Sequence, residues 1–139
     1  MGWPNVEGNK GTPPNGPGTY QGPALTYTHA EGECAITGGT FFNPPRSTFP
    51  AGFTGQYFFA DFCAGWIKTW NPGSGKPAAE FATGIAAPIN IKAGPDGQLY
   101  YLSRGSSKSG SVANTASTTG EVHRIRGPII LIGQGILHN

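Results

Sequence analysis

The amino-acid sequence predicts an all-β fold, and three features of the chain support that prediction. Short apolar or alternating segments recur at roughly ten-residue spacing, as strands do in sandwiches, barrels and propellers. Glycine and proline, with 23 and 13 copies in 139 residues, separate these segments and interrupt any helical periodicity. Aromatic residues form 12% of the chain and bury much area per residue, which argues against disorder.

The N-terminal part of the chain is predicted to be mostly loop. Residues 2–8, GWPNVEG, are typical of a short turn. Residues 9–22 cannot form a helix, because proline lacks a backbone donor and disfavours the helical conformation of the residue before it. We expect a surface loop with polyproline character there, or an arm that wraps a neighbour. Residues 23–29, PALTYTH, alternate weakly and indicate an edge strand.

The most informative segment is residues 55–70, GQYFFADFCAGWIKTW. Its apolar run at residues 57–59 has no polar alternation, which predicts a strand buried on both faces. Ala64 and Gly65 form a natural turn, and residues 66–70 resume as a second strand. The segment therefore predicts a β-hairpin at the centre of a sheet.

Further strands are predicted on both sides of this hairpin. They cover residues 34–42, 79–83, 88–93, 98–103 and 121–126. Gly38 and Gly39 lie inside the first of them and predict a bulge or a close approach of another backbone. The turn Gly94-Pro95-Asp96-Gly97 joins two of the others, since proline presets φ and glycine tolerates a positive φ.

The chain is short enough for one domain, and we expect residues 1–139 to form a single all-β domain. Residues 104–120 form a long loop rich in Ser, Gly and Thr. Residues 127–139 form a divergent, apolar tail, which is typical of an edge or interface strand.

Charge and hydropathy exclude two classes of partner. The net charge is only +2 and the cations are scattered singly, so the chain lacks the basic footprint of a nucleic-acid-binding protein. No apolar stretch reaches the length of a membrane span. The N-terminus shows no secretory signal, so an exported form would be a mature chain or a fragment.

Two cysteines, Cys34 and Cys63, lie near the ends of predicted strands. In a chain with few charges and many glycines, this placement favours an oxidising compartment. The alternative is two buried, unpaired thiols. A bond between the two would close a loop of about thirty residues and contribute about 3–4 kcal/mol.

Five segments, read in order, resemble the C-terminal portion of the glucose/sorbosone dehydrogenase family. They are GWPNVEG (2–8), YTHAEGECAITGG (27–39), GQYFFADFCAGWI (55–67), GPDGQLYYLSR (94–104) and GEVHRI (120–125). Members of this family are soluble quinoprotein sugar dehydrogenases and related secreted proteins, built as six-bladed β-propellers. The resemblance implies about two four-stranded, antiparallel, propeller-like blades with long Gly/Pro/Ser loops. It also implies a disulfide between Cys34 and Cys63, as in some members, and a periplasmic or extracellular location.

The catalytic members of that family use pyrroloquinoline quinone (PQQ) and calcium, and here the chain departs from their pattern. Nothing in this chain matches their catalytic histidine, which precedes the corresponding segment. Residues 88–92, PINIK, carry no arginine for the quinone, and Lys92 is the only cation there. We therefore expect no catalytic residue, cofactor or metal site in this chain alone.

A few residues are candidates for ligand contact, each with a structural alternative. His29 lies near Glu31 and Glu33, but a general base needs an oriented partner and a concave site, so a surface histidine is the alternative. If the disulfide forms, Asp61 approaches the same two glutamates, and three carboxylates are a conceivable calcium set. The alternative, which we favour, is that Asp61 accepts backbone N–H groups at the end of the hairpin.

The other candidates are cationic or aromatic. Arg124 and Arg126 share a face of the last strand with Val122, which indicates either an anion site or a solvated strand face. Trp3, with other aromatic residues of the chain, either stacks on a sugar ring or belongs to the core.

Two hypotheses for function follow. Two blades cannot close a ring, and exposed strand edges recruit partners. The first hypothesis is a non-catalytic, extracellular, propeller-derived protein that completes its sheets by self-association, as a ring oligomer or a filament subunit, with possible glycan contact. The alternative is the C-terminal fragment of a PQQ-dependent sugar dehydrogenase, inactive by itself.

Overall fold

The computed structural model describes residues 4–13, 15–105 and 118–127. The chain divides into two compact units, Met1–Ala30 and Glu31–Asn139. Apart from one short 3₁₀ helix (Ala51–Phe53), antiparallel strands account for the regular structure of both units, which confirms the all-β prediction. The prediction of a single domain remains a prediction.

The N-terminal unit contains one small hairpin. Strand β1 (Val6–Glu7) pairs with β2 (Lys10–Gly11) in antiparallel register. The predicted edge strand at 23–29 is wrong, since this segment forms no strand in the structure. Only the burial alternates in this segment: Leu25 and Tyr27 are half-buried, whereas Thr26 and Thr28 are exposed. Because Pro23 also lacks a backbone donor, the pattern does not become a hydrogen-bonded ladder.

The C-terminal unit begins with a four-stranded sheet. Its strands are β3 (Ile36–Phe41), β4 (Tyr57–Asp61), β5 (Trp66–Trp70) and β6 (Ala79–Ala82), paired in that order. The predicted hairpin is confirmed, because β4 and β5 pair along their whole length from Tyr57↔Trp70 to Asp61↔Trp66. Gly65 has a φ of 66° and its N–H donates to the carbonyl of Asp61, so the predicted turn is also confirmed.

A three-stranded sheet completes the C-terminal unit within the described residues. Strands β7 (Pro88–Ala93), β8 (Leu99–Ser103) and β9 (Glu121–Ile125) form an antiparallel meander. The GPDG turn joins β7 and β8 as predicted, with Gly97 at a φ of 79° and its N–H donating to the carbonyl of Gly94. The two sheets therefore contain four and three described strands rather than four each.

The two sheets meet where β3 carries its glycine pair. The register of β3 against β4 shifts between Thr37 and Thr40, which confirms the predicted bulge. At Gly38 a Cβ atom would lie 2.7 Å from the backbone nitrogen of Ile91, so only glycine admits β7 this close. The Thr37 hydroxyl donates to the carbonyl of Pro88 at 2.7 Å and ties the two strands together.

The core lies between the facing sides of the two sheets. It consists of Phe42, Phe49, Phe58, Ala60, Ile67, Ile91 and Leu99, all buried. Phe42 packs edge-on against Phe49 at 4.9 Å between ring centroids, and Phe58 packs edge-on against Phe81 at 5.0 Å. These contacts account for the many aromatic residues, which supply area that short strands of small residues would lack.

Some of the predictions lie outside the described residues. These are Trp3, residues 106–117 of the long loop and residues 128–139 of the tail. In the part of the chain that is described, no helix is long and apolar enough to cross a membrane.

Candidate functional site

The chemically densest place in the described structure is the end of the β4–β5 hairpin. Cys34 and Cys63 form a disulfide there, with 5.5 Å between their Cα atoms and a sequence separation of 29. The predicted pairing is confirmed. It joins the segment just before β3 to the turn just after β4, so two chain segments at one corner of the sheet are covalently linked.

Asp61 lies directly beneath the disulfide and is fully buried. Its carboxylate accepts hydrogen bonds from the backbone N–H groups of Cys34, Ala35, Cys63 and Ala64, with N···O distances from 2.8 to 3.3 Å. Two of these donors follow Asp61 by two and three residues, which is the local turn that aspartate favours. The other two come from the segment across the sheet. The prediction that Asp61 satisfies backbone donors is confirmed.

This arrangement is structural in its chemistry. A buried carboxylate is stable as an anion only when donors surround it, and here both oxygens are engaged by backbone N–H groups. The four partners named above are backbone N–H groups, which is the pattern of a carboxylate that holds a turn rather than of a general base with an oriented side-chain partner.

The same corner also contains the only cluster of potential metal ligands among the described residues. One oxygen of Asp61 and the sulfur atoms of Cys34 and Cys63 lie within 4.8 Å of one another. Both sulfurs are used in the disulfide, and metal binding requires thiolates. Calcium needs six to eight oxygens, and the cluster offers one carboxylate that already accepts N–H groups. The corner therefore does not fit calcium.

The two glutamates upstream of Cys34 do not join Asp61 in that cluster. Instead, the carboxylate of Glu33 accepts the backbone N–H of Glu31 at 2.8 Å. Hydrogen bonds from the backbone of Glu31 and of Glu33 itself lower the pKa of the Glu33 carboxyl, and the positive charge of Lys68 lowers it further. Within the described residues, the three-carboxylate calcium set is not assembled.

The remaining predicted ligand residues belong to different parts of the chain. His29 is exposed and belongs to the N-terminal unit. Arg124, in β9, and Arg126, just beyond it, are both exposed, and Val122 beside them is 70% exposed. Both arginines are therefore exposed to solvent, and the choice between an anion site and a solvated strand face remains a prediction. Trp3 lies outside the described residues.

The opposite face of β9 carries a small titratable group that the sequence did not reveal. His123 stacks on Tyr101 with 4.7 Å between the rings, and its Nε2 lies 2.9 Å from the Glu121 carboxylate. Partial burial, together with the negative charge of Glu121, raises the pKa of the Tyr101 hydroxyl. The pairing register of β8 and β9 determines this contact, because Tyr101 and His123 are direct cross-strand partners.

The outer side of the four-stranded sheet carries an aromatic row. Tyr57 stacks on Phe59 at 6.1 Å between ring centroids, Phe59 meets Trp66 edge-on at 5.6 Å, and the Lys68 ammonium lies 4.2 Å from the Trp66 ring. Phe59 and Trp66 are buried, so neither presents an open ring face to a sugar. The row is part of the packing of the sheet.

One cleft is described in the N-terminal unit. Its volume is about 210 Å³, and Val6, Asn9, Tyr20 and Pro23 are among the residues that line it. This volume falls below the roughly 300–1,000 Å³ typical of ligand pockets, and its lining carries no charged side chain. The cleft is therefore a gap between turns of a proline-rich segment.

No protein-family model, curated protein or solved structure matches the chain. The resemblance to the glucose/sorbosone dehydrogenase family, and with it the propeller ancestry, remains a prediction that depends on the five sequence segments.

Proposed function

We propose that this chain is a non-catalytic, disulfide-linked β-sheet protein that completes its open sheets by self-association, as a ring oligomer or a filament subunit. The proposal concerns assembly rather than chemistry. It is supported by the open edges of the two sheets. It is also supported by Asp61, whose carboxylate accepts four backbone N–H groups and so holds the fold together.

The observation that carries the proposal is the open outer edge of each sheet. Among the described residues, β6 pairs only with β5 and β9 pairs only with β8, so each presents an unpaired row of backbone groups. The other two edge strands, β3 and β7, lie against each other at the junction of the sheets. Unpaired edges of this kind are templates for strands of another chain.

The disulfide corner favours a protein that keeps its shape while its edges are engaged. A covalent bond and four charge-assisted hydrogen bonds fix the same end of the four-stranded sheet. A disulfide also favours an oxidising compartment, such as the periplasm or the extracellular space. The proposal also includes contact with glycans. The buried aromatic row does not support this part, because it presents no open ring face to a sugar.

Size-exclusion chromatography with light scattering tests the proposal on the oxidised protein over a range of concentrations. We expect a mass above that of the 14.5 kDa chain, rising with concentration toward a ring or an open series of species. A well-folded protein that stays monomeric across the range would contradict the proposal.

The alternative, a fragment of a PQQ-dependent sugar dehydrogenase, is tested separately. PQQ and calcium are added to the chain, and sugar-dependent reduction of a dye is measured. We expect no turnover, because the chain has no match for the catalytic histidine of that family or for the arginines that hold its quinone. Turnover by this chain alone would replace the assembly proposal with an enzymatic one.

A further inference from the structure

We infer that copies of the chain associate head to tail, with the outer face of the three-stranded sheet of one copy on the outer face of the four-stranded sheet of the next. This inference rests on the proposed self-association and adds a contact between sheet faces to the open strand edges. The first surface is called the basic face below and the second the acidic face. Both lie on the C-terminal unit, on the sides of the sheets that point away from the core.

The basic face is defined by two cross-strand rows. Lys92, Tyr100 and Arg124 are register partners across β7, β8 and β9, and Leu102 pairs with Val122 in the neighbouring row. Lys92 and Arg124 are exposed, Val122 is 70% exposed and Leu102 is 37% exposed. An apolar pair with a cation on each flanking strand therefore points to solvent, where isolated sheets normally place polar residues.

One carboxylate lies at the end of this face, and it is already engaged. The Tyr100 hydroxyl donates to Asp96 at 2.8 Å, and the positive charge of Arg124 contributes to the lowered pKa of the Asp96 carboxyl. The basic face thus carries two cationic side chains and one carboxylate, so its net charge is positive.

The acidic face is defined by the pairing of β3 with β4. Ile36 pairs with Asp61 and Phe41 pairs with Tyr57, which places both apolar side chains on the same side of the sheet. Ile36 is 56% exposed and Phe41 is 52% exposed, although each has a full strand beside it. Phe41 packs on Tyr57 at 5.1 Å between ring centroids, and Phe59 between the two ends is buried, so the exposed apolar area of this face lies at the two ends of β3.

The charges beside these side chains have the opposite excess. Glu80 is exposed and directly opposite Lys68 on the same side of the sheet, and the charge of Lys68 also acts on Glu33. Lys68 is held over the Trp66 ring at 4.2 Å. The acidic face therefore carries two carboxylates and one ammonium group, and the ammonium group already has an aromatic partner. The net charge of this face is negative.

The two faces are complementary in charge, whereas two copies of the same face repel each other. In a contact between a basic and an acidic face, the Leu102–Val122 pair covers one exposed apolar end of β3. Lys92 and Arg124 then approach Glu33 and Glu80. Two basic faces would bring four cations together without an apolar advantage over the mixed contact. The contact is therefore heterologous, which produces a ring if the rotation between copies closes and a filament if it does not.

Charge-reversed variants test this contact. The variant Lys92→Glu/Arg124→Glu has two acidic faces, and Glu33→Lys/Glu80→Lys has two basic faces. We expect each variant alone to require more than about tenfold higher concentration than the wild type to associate. Mixed in equal amounts, the two should recover wild-type-like association, in species that contain both variants in a 1:1 ratio by native mass spectrometry. Lys76→Glu, in the exposed β5–β6 loop, is the matched control and should associate like the wild type.

The outcomes separate the two proposals. A monomeric wild type would contradict the proposed function itself. A wild type that associates, with charge-reversed variants that associate equally well alone, would leave self-association standing and overturn the head-to-tail contact. Variants that are monomeric both alone and mixed, with unchanged far-ultraviolet circular dichroism, would also overturn it, because complementary charges would then not suffice to restore the contact. Val122→Ser, which keeps the charge, should weaken the association of the otherwise unchanged chain.

Discussion

Two aspartates hold the ends of the two central hairpins, and they do so under opposite conditions. Asp61 ends β4, is fully buried and accepts four backbone N–H groups beside a disulfide. Asp96 lies in the turn between β7 and β8, is exposed, and accepts the backbone N–H of Gln98 and the hydroxyl of Tyr100. Both carboxylates hold a turn through hydrogen bonds. Water can replace the exposed carboxylate of Asp96 as an acceptor, but it cannot replace the buried carboxylate of Asp61.

This difference makes the two hairpin ends unequal in stability. When a buried acceptor is removed, its donors are left without partners and the full cost of their desolvation appears in the free energy of unfolding. When an exposed acceptor is removed, water takes its place at small cost. The four-stranded sheet is thus fixed at its corner, whereas the turn of the three-stranded sheet is held by contacts that solvent can replace.

Substitution of the buried aspartate should have the largest effect. Asp61→Ala leaves four backbone N–H groups at the corner without their acceptor, and we expect a loss of about 4–5 kcal/mol in the free energy of unfolding. Urea denaturation of the oxidised protein measures it. The matched control is Asp96→Ala, which should shift the midpoint much less. Equal shifts for the two variants would contradict the contrast between the buried and the exposed turn.

Loss of the disulfide should have the next largest effect. Cys34→Ser/Cys63→Ser releases a cross-link that spans 29 residues of sequence, and we expect a loss of about 3 kcal/mol. The loss is smaller than that of Asp61→Ala because the carboxylate still gathers the backbone N–H groups. A reducing agent should destabilise the wild type and leave this variant unchanged. A double-cysteine variant less stable than Asp61→Ala would mean that the covalent bond, rather than the carboxylate, organises the corner.

Local sequence signals were sufficient for the hairpins and for the role of Asp61. The observed limits of β7 coincide with the predicted strand at residues 88–93, and the GPDG turn follows it as predicted. The positions of glycine and proline determine where these strands and turns begin and end. Because this information is local, the sequence alone was enough to predict them. Asp61 was predictable for a similar reason, because two of its four donors belong to its own turn.

The outer faces could not be predicted, because they depend on register. Ile36 and Phe41 are five residues apart, and simple alternation places them on opposite sides of a strand. The bulge at Gly38 and Gly39 shifts the register, so that their partners Asp61 and Tyr57 are four residues apart and both side chains share one face. The opposite error occurred at residues 23–29, where alternation was present but no partner strand formed in that unit.

The smallest effect is expected from the exposed turn, and it should depend on pH. The hydroxyl of Tyr100, as the largest cause, lowers the pKa of the Asp96 carboxyl below its ordinary value of 3.8. A depressed folded-state pKa stabilises the protein above the unfolded-state pKa, and that contribution is lost as the pH falls through the folded-state value. Tyr100→Phe should therefore lower the thermal midpoint slightly at pH ~7 and have no effect at an acidic pH below the folded-state pKa, where Asp96 is protonated in both states.

A double-mutant cycle with Asp96→Asn separates the hydrogen bond from the packing of the Tyr100 ring. The cycle compares Tyr100→Phe, Asp96→Asn and the double variant by thermal denaturation at both pH values. We expect a small favourable coupling between the two side chains at neutral pH and none at the acidic pH, because the Tyr100 hydroxyl acts on the ionised carboxylate. A coupling of the same size at both pH values would assign the effect to packing, and would remove the pH dependence that distinguishes the exposed turn from the buried corner at Asp61.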